Sequence, residues 1–255
     1  MPRASVPPRR LGSAWARTPN ANPRSGDSLT RDQIVAAAVA VVDRDGLVNL
    51  SMRKLAAELG VGVTTLYWHV ADKDEVLDLI CDRVLGEIDL VAPADASWTE
   101  RLISLFSELR AALLRHADLA TLLPTRENVG PNALAVREAV AVALLDAGLP
   151  QALLAATDHA LLSYVTGSAA GEVGRRAVSE QQGADVESAD AEETAFLAAL
   201  PGDTFPGLVT LARTRPAEDR DSAFEYGLRV MLAGVAAHVQ APVRRAPRRT
   251  GLRAR

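Results

Sequence analysis

From Leu29 to Val239 the apolar positions recur at intervals of three and four, the period of helices with one buried face. "LTRDQIVAAAVAVVDRDG" opens the pattern. Thr30 and, three residues on, Gln33 have the form of a capping box, Ile34, Ala38, Val41 and Val42 share a face, and Gly46 stops the run. Ser51 is placed to cap a second helix, "MRKLAAEL", with Leu55, Ala56 and Leu59 on its apolar side and Gly60 at its end. A short third helix carries "VGVTTLYWHV", and Asp72 with Glu75 starts a fourth that aligns Val76, Leu79, Ile80 and Val84. Four longer helical patterns follow: "WTERLISLFSELRAALLRH", "NALAVREAVAVALLDAG", "QALLAATDHALLSYVTGSAAGEVGRR" and "DSAFEYGLRVMLAGVAAHV". Sustained two-residue alternation is absent, so the expected fold class is all-α. The acidic, Gly- and Gln-bearing stretch from 177 to 206 predicts a mobile loop with a short helix near Glu192 to Leu200.

The second and third helices, joined by a glycine turn, make a helix-turn-helix, whose second helix enters the DNA major groove while the first braces it. Leu55, Leu59, Val61 and Leu66 supply the core of such a unit, and Ala56 and Gly60 let the helices approach. Val63, Thr64, Thr65, Tyr67, Trp68 and His69 are left for the exposed end and flanks of the reading helix. Threonine suits a phosphate or the thymine methyl, Tyr67 and His69 suit phosphate oxygens, and Trp68 offers a flat surface with one N–H. Arg53 has the planar fork that reads guanine, and Lys73 sits at a helix start where a phosphate is held. The alternative is that Tyr67 and Trp68 only pack the small domain.

The net charge of −4 conceals a segregation. Residues 1–75 carry 10 basic and 8 acidic groups, residues 76–239 carry 12 and 24, and residues 240–255 carry 6 basic groups alone. Basic ends around an acidic middle suit a chain whose N-terminal part meets a polyanion, although solvated faces show similar imbalance. Residues 1–28 have no hydrophobic period and read as a disordered Arg/Pro-rich arm. Its arginines, Arg3, Arg9, Arg10, Arg17 and Arg24, belong either to a solvated tail or to an arm that follows DNA phosphates. The disordered basic tail, 240–255, allows the same pair of readings. The lone cysteine, Cys81, excludes an internal disulfide and reads as a buried apolar group in a reducing compartment. No apolar run reaches the roughly 18 residues of a membrane span, so a cytoplasmic, nucleoid-associated protein without membrane contact is expected. Scattered histidines and the absence of a nucleophile elbow, HExxH, P-loop or GxGxxG pattern argue against an enzyme, and no cofactor or metal is expected.

The stretch "LTRDQIVAAAVAVVDRDGLVNLSMRKLAAELGVGVTTLYWHVADKDEVLD" resembles the DNA-binding domain of TetR-family transcriptional repressors, and "TLYWHV" followed by a lysine is similar to the tetracycline-repressor branch. Weaker similarity continues through "SWTERL", "ALLRHADLATLLPTR" and "AFEYGLRVMLAG". The resemblance implies an N-terminal three-helix head (29–75) and a C-terminal helical ligand-binding and dimerisation body (76–239). It also implies a homodimer on a near-palindromic double-stranded DNA operator, released by a small-molecule inducer. It puts Arg53 where the family reads a guanine, and Thr65, Tyr67, His69 and Lys73 where it touches operator backbone or bases. Val63 departs from a glutamine that recognises adenine, which implies a different operator.

Members of that branch hold their drug through magnesium, and the matching positions here are Asp89, Leu105, Leu109 and Leu122; leucine cannot ligate a hard cation. Glu172 lies one residue away from a metal-associated glutamate. What remains is an apolar cavity among Leu105, Leu109, Leu122, Val142 and Tyr164, with His116, Thr125 and Arg126 as polar contacts, suited to a mainly hydrophobic inducer. For the dimer, Gly167, Ala170, Gly171 and Gly174 mark one helix. Phe224, Leu228, Met231, Leu232 and Val235 form a stripe on another, read as interface in preference to internal core. A transcriptional activator or DNA-coating protein of the same fold, without an inducer, is the alternative function.

Overall fold

The computed structural model describes residues 13–16, 29–93, 95–183, 185–214 and 220–240. α1 (Ser13–Ala16) is a single turn, and α2 (Arg31–Asp45) begins at the expected capping box, where Thr30 and Gln33 each accept from the other's backbone N–H. α3 (Met52–Glu58) is capped by Ser51, whose Oγ accepts from the Lys54 N–H at 3.2 Å. Gly60 turns the chain at φ 65°, a backbone that only glycine adopts readily, and so delivers α4 (Val63–His69) across α3. Asp72 caps α5 (Lys73–Leu85). The body then contains α6 (Trp98–Arg115), α7 (Ala117–Leu122), α8 (Pro131–Asp146), α9 (Gln151–Gln182), α10 (Val186–Ala198), α11 (Pro206–Thr214) and α12 (Arg220–Gln240). α6 starts at a second capping box, Ser97 with Glu100, which periodicity alone does not mark. No strand occurs among the described residues, so the class is all-α.

One apolar core runs through head and body. Ile34, Ala38, Val41, Leu55 and Leu66 are sealed where α3 packs on α2 and on α4, and α5 then packs on both α2 and α8. α6 is the axis of the body. It contacts α8, α9 and α12, and buries Leu102, Phe106, Leu109 and Leu113 among them.

Three expectations change. Within the predicted disordered arm, residues 13–16 instead form α1 on α5, because Ala14, 2 % exposed, and Trp15 find an apolar seat there; the rest of the arm and residues 241–255 of the tail lie outside the described residues. The predicted mobile loop is largely helical. α9 continues to Gln182, and Asp185 caps α10 by accepting from the Ser188 N–H at 2.7 Å. The acidic Asp190, suggestive of loop by composition, is buried against Arg220 at the start of α12. The stripe on α12 is core: Phe224, Leu228 and Leu232 are enclosed within the subunit, with Met231 and Val235 packed at its edge.

That last packing depends on a missing side chain. The Tyr164 ring lies on Phe224, centroids 5.5 Å apart and nearly parallel, and its hydroxyl donates to the Phe224 carbonyl at 2.9 Å. A Cβ on Gly227 would overlap that hydroxyl. Gly227→Ala is therefore expected to lower stability by about 1–3 kcal/mol through overpacking, despite alanine's better helix propensity. Chemical denaturation of the two proteins measures the difference.

Candidate nucleic-acid interface and ligand cavity

α4 is anchored by one residue on its inner side and open on the outer one. Leu66 is fully enclosed, while Thr64 and Thr65 are exposed and Tyr67 and Trp68 are 48 % and 58 % exposed. Neither aromatic ring therefore belongs to the subunit's core. Val63 is half-buried against that core, and His69 is half-buried with its Nδ1 enclosed and unbonded. The cations of neighbouring α3 and of the end of α2 divide into two kinds. Lys54 is paired with Asp45 and Arg44 with Asp45 and Glu58, whereas Arg53 is exposed and makes no ion pair among the described residues. Lys73 is half-buried at the first turn of α5, its Nζ 3.5 Å from the Leu47 carbonyl.

The expected DNA-contacting residues lie on the segment formed by α3, α4 and the start of α5, with Arg53, Thr64, Thr65, Tyr67 and Trp68 exposed and Val63, His69 and Lys73 half-buried. Its orientation is fixed from below. The carboxylate of Glu75, 2 % exposed, accepts from Arg31 of α2 and from the Ala71 N–H, both at 2.7 Å. Those bonds tie α2, the turn after α4, and α5 together.

Of the cavities along α6, two include residues expected from the sequence to meet a ligand. The larger, of about 470 Å³, lies between α5, α6, the segment after α7, α8 and α9. Leu85, Leu109, Leu123, Val136 and Leu162 give it apolar walls, and Arg126, Asn128, Asp158, His159 and Thr166 bring polar groups. The second, of about 410 Å³, lies on the other side between the α5–α6 connection, α6 and α8, and includes Asp89, Leu105 and Val142.

The single cavity expected from the sequence is therefore divided. Leu109 and Arg126 line the larger space, and Leu105 and Val142 the smaller. Leu122 is buried without lining either, and Thr125 is exposed, its hydroxyl donating to the Leu122 carbonyl at 2.7 Å. Tyr164 belongs to the α9–α12 core described above. His116 ends α6 facing the head, its Nδ1 2.9 Å from Asp43 of α2 and its Nε2 3.3 Å from Glu87. Burial works against the Glu87 carboxylate, but Arg115 and His116 outweigh it and hold its pKa below the usual range. Asp158, His159, Leu162 and Thr166 are missed by the sequence reading, although their spacing of three and four on one helix face is a usable signal.

Glu172 is committed elsewhere, bridging the buried Arg110 and Arg176, both at 2.5 Å. No group of three or more His, Cys, Asp and Glu side chains suited to a metal occurs among the described residues. No described helix is long and apolar enough to cross a membrane.

Residues 34–80 match the family described as bacterial regulatory proteins, tetR family, and residues 92–239 match the tetracyclin repressor-like C-terminal domain. An HTH-type transcriptional regulator of Saccharopolyspora erythraea is 42% identical over 228 residues, covering 89% of this chain and 92% of the relative. The HTH-type transcriptional repressor DrrR1 of Streptomyces coeruleorubidus is 32% identical over 89% of this chain and 84% of its own. Among solved structures, the TetR family protein ActR of Streptomyces coelicolor in complex with actinorhodin superposes with a TM-score of 0.73 at 35% identity, over 84% of this chain and 100% of that one.

Removing the buried carboxylate beneath the reading surface leaves the Arg31 guanidinium, only 18% exposed, without its partner. Glu75→Ala is expected to cost about 3 kcal/mol, the usual loss when one side of a buried pair is deleted. Urea unfolding followed by helical circular dichroism checks it, and a loss under about 0.5 kcal/mol would contradict the role given to Glu75.

Proposed function

Because the chain belongs to the TetR family of transcriptional regulators, and is not an enzyme, we propose that two copies repress transcription from one near-palindromic operator until a small, mainly hydrophobic molecule releases them. The observation that carries this reading is the outward face of α4: Thr64, Thr65, Tyr67 and Trp68 stand free of the core, and on neighbouring α3 Arg53 is exposed and makes no ion pair among the described residues. Arg53 reads a guanine edge, the threonines and Tyr67 hold sugar-phosphate, and Val63 gives an apolar contact in place of a hydrogen bond to adenine. Repression rather than activation is favoured by the relative named as a repressor.

The dimer face follows from what the core leaves uncovered. Once Phe224 and Leu228 are assigned to the interior, the opposite side of α12 still exposes Tyr226 at 72% and Val230 at 53%, and among the described residues a Cβ at Gly234, Gly167 or Gly174 would meet nothing within 4 Å. Small residues on two adjacent helices suit a twofold four-helix bundle, which sets two heads about 34 Å apart for successive major grooves. The larger cavity, which combines apolar walls with polar and charged groups, takes the inducer, and ActR is a relative whose structure contains actinorhodin.

With DNA from upstream of its own gene, the protein is expected to give a sequence-specific mobility shift, and Arg53→Ala to weaken it about tenfold or more, the worth of one guanine contact. No specific shift, or an unchanged one in the variant, would overturn the reading. Gly234→Leu is expected to convert the dimer to a folded monomer by light scattering; an unchanged mass would move the interface elsewhere.

A further inference from the structure

One cation in the larger cavity is also fastened to the helix that joins body to head. Arg126 lines the cavity, yet both forks of its guanidinium are engaged by α5. Nε and Nη2 face Asp78 Oδ1, each at 2.6 Å. Nη2 also donates to the Asp74 carbonyl at 2.7 Å, and Nη1 to Asp74 Oδ1 at 3.1 Å. Arg126 is 15% exposed and Asp78 13%, so solvent screens this pair weakly. Burial opposes the charge on Arg126, and the bonds to Asp78 and Asp74 outweigh it. Asp74 and Asp78 stand one turn apart on the first half of α5, on either side of the turn that Glu75 ties to the head.

Asn128, two residues farther on, lines the same cavity. Its Nδ2 donates to the carbonyls of Leu123, at 2.7 Å, and Arg126, at 3.1 Å, which fixes which end of the amide is which. Among the described residues, Oδ1 is left buried without a donor. The residue also holds φ at 45°, a left-handed conformation that asparagine tolerates. An unmatched acceptor on a cavity-lining residue, beside an arginine, suits a molecule that brings both a hydroxyl and an acid once a local shift uncovers Oδ1.

We infer that Arg126 is the positioning residue through which this chain senses an acidic hydroxyaromatic ligand: the acid takes a fork of Arg126 from Asp78 or Asp74, and the hydroxyl donates to Asn128 Oδ1. The inference rests on the cavity being the inducer site, and it names the inducer's chemical class. A carboxylate that pairs with two parallel N–H groups needs one whole fork, and both forks are occupied. Ligand and α5 therefore compete for one guanidinium, and α5 is released from the body at the turn that orients the head. Competition is reciprocal: whatever the clamp takes from ligand affinity, the ligand takes from the clamp.

The test uses the full chain, 1-hydroxy-2-naphthoate and its methyl ester as probes, and DNA from upstream of the gene. The parent is expected to bind the acid at least tenfold more tightly than the ester, and saturating acid to weaken operator binding at least tenfold. Asp78→Asn, with the clamp loosened, is expected to bind the acid at least threefold more tightly than the parent while losing most of the operator effect. A merely structural Asp78 would weaken both. Arg126→Gln is expected to bind acid and ester alike, and Arg126→Lys, which keeps the charge should the glutamine variant not fold, to keep a reduced preference for the acid. A parent indifferent to the acid, or an Asp78→Asn protein with the parent's affinity and operator response, overturns the inference. Operator binding released by neutral molecules alone defeats only this inference, whereas no operator binding by the parent defeats the function proposed above.

Discussion

Everything in this chain depends on α5 being packed from two sides at once. Of its 13 residues, nine are buried, more than the single apolar stripe of a surface helix provides. Two of the nine are carboxylates, and each has a defined duty: Glu75 binds Arg31 and the Ala71 N–H toward the head, and Asp82 accepts from the Ala133 N–H at 2.9 Å toward α8. Burial pushes the Asp82 pKa up against those bonds, so its position is held by hydrogen bonding rather than by comfort in an apolar site. A helix fixed in this way cannot shift at one end without disturbing the other, which is the mechanical requirement for a body that instructs a head.

Among the described residues, polar contacts between acidic and basic side chains of the two parts lie in two places. Arg126 grips the start of α5 from the cavity side, and His116 stands between Asp43 of α2 and Glu87 just beyond the end of α5. Asp118 adds a third link by accepting from the Leu47 N–H at 2.5 Å. Polar contacts of this kind have definite geometry and exchange partners in discrete steps, whereas the apolar core between them supplies cohesion without direction.

Much of the head was legible in the sequence because its signals are local. Thr30 with Gln33, Ser51, Gly60 and Asp72 each fix a helix boundary through groups within four residues, and the structure places each boundary there. The body was less legible because its decisive contacts join distant residues. Periodicity identifies the stripe of Phe224, Leu228 and Leu232 but does not say what covers it; Tyr164, and Arg110 stacked 5.0 Å above the Phe224 ring, lie 60 and 114 positions away. Asp190 reads as loop until Arg220 is brought to it. The cavity was misjudged at Tyr164 and His116 because a helix has several faces, and apolar or polar character alone does not select the one facing the space.

Cys81, the only cysteine, lies in the middle of α5, 1% exposed, its thiol pushed up to about 12 by burial. A thiol reagent therefore reaches it only when α5 leaves its packing. In a urea titration of the unmodified protein, helix shared between head and body requires Cys81 to become reactive at the same midpoint at which helical circular dichroism is lost. Full labelling at urea concentrations where the body keeps its native signal would mean that α5 opens with the head alone, and the shared packing on which the coupling rests would be contradicted.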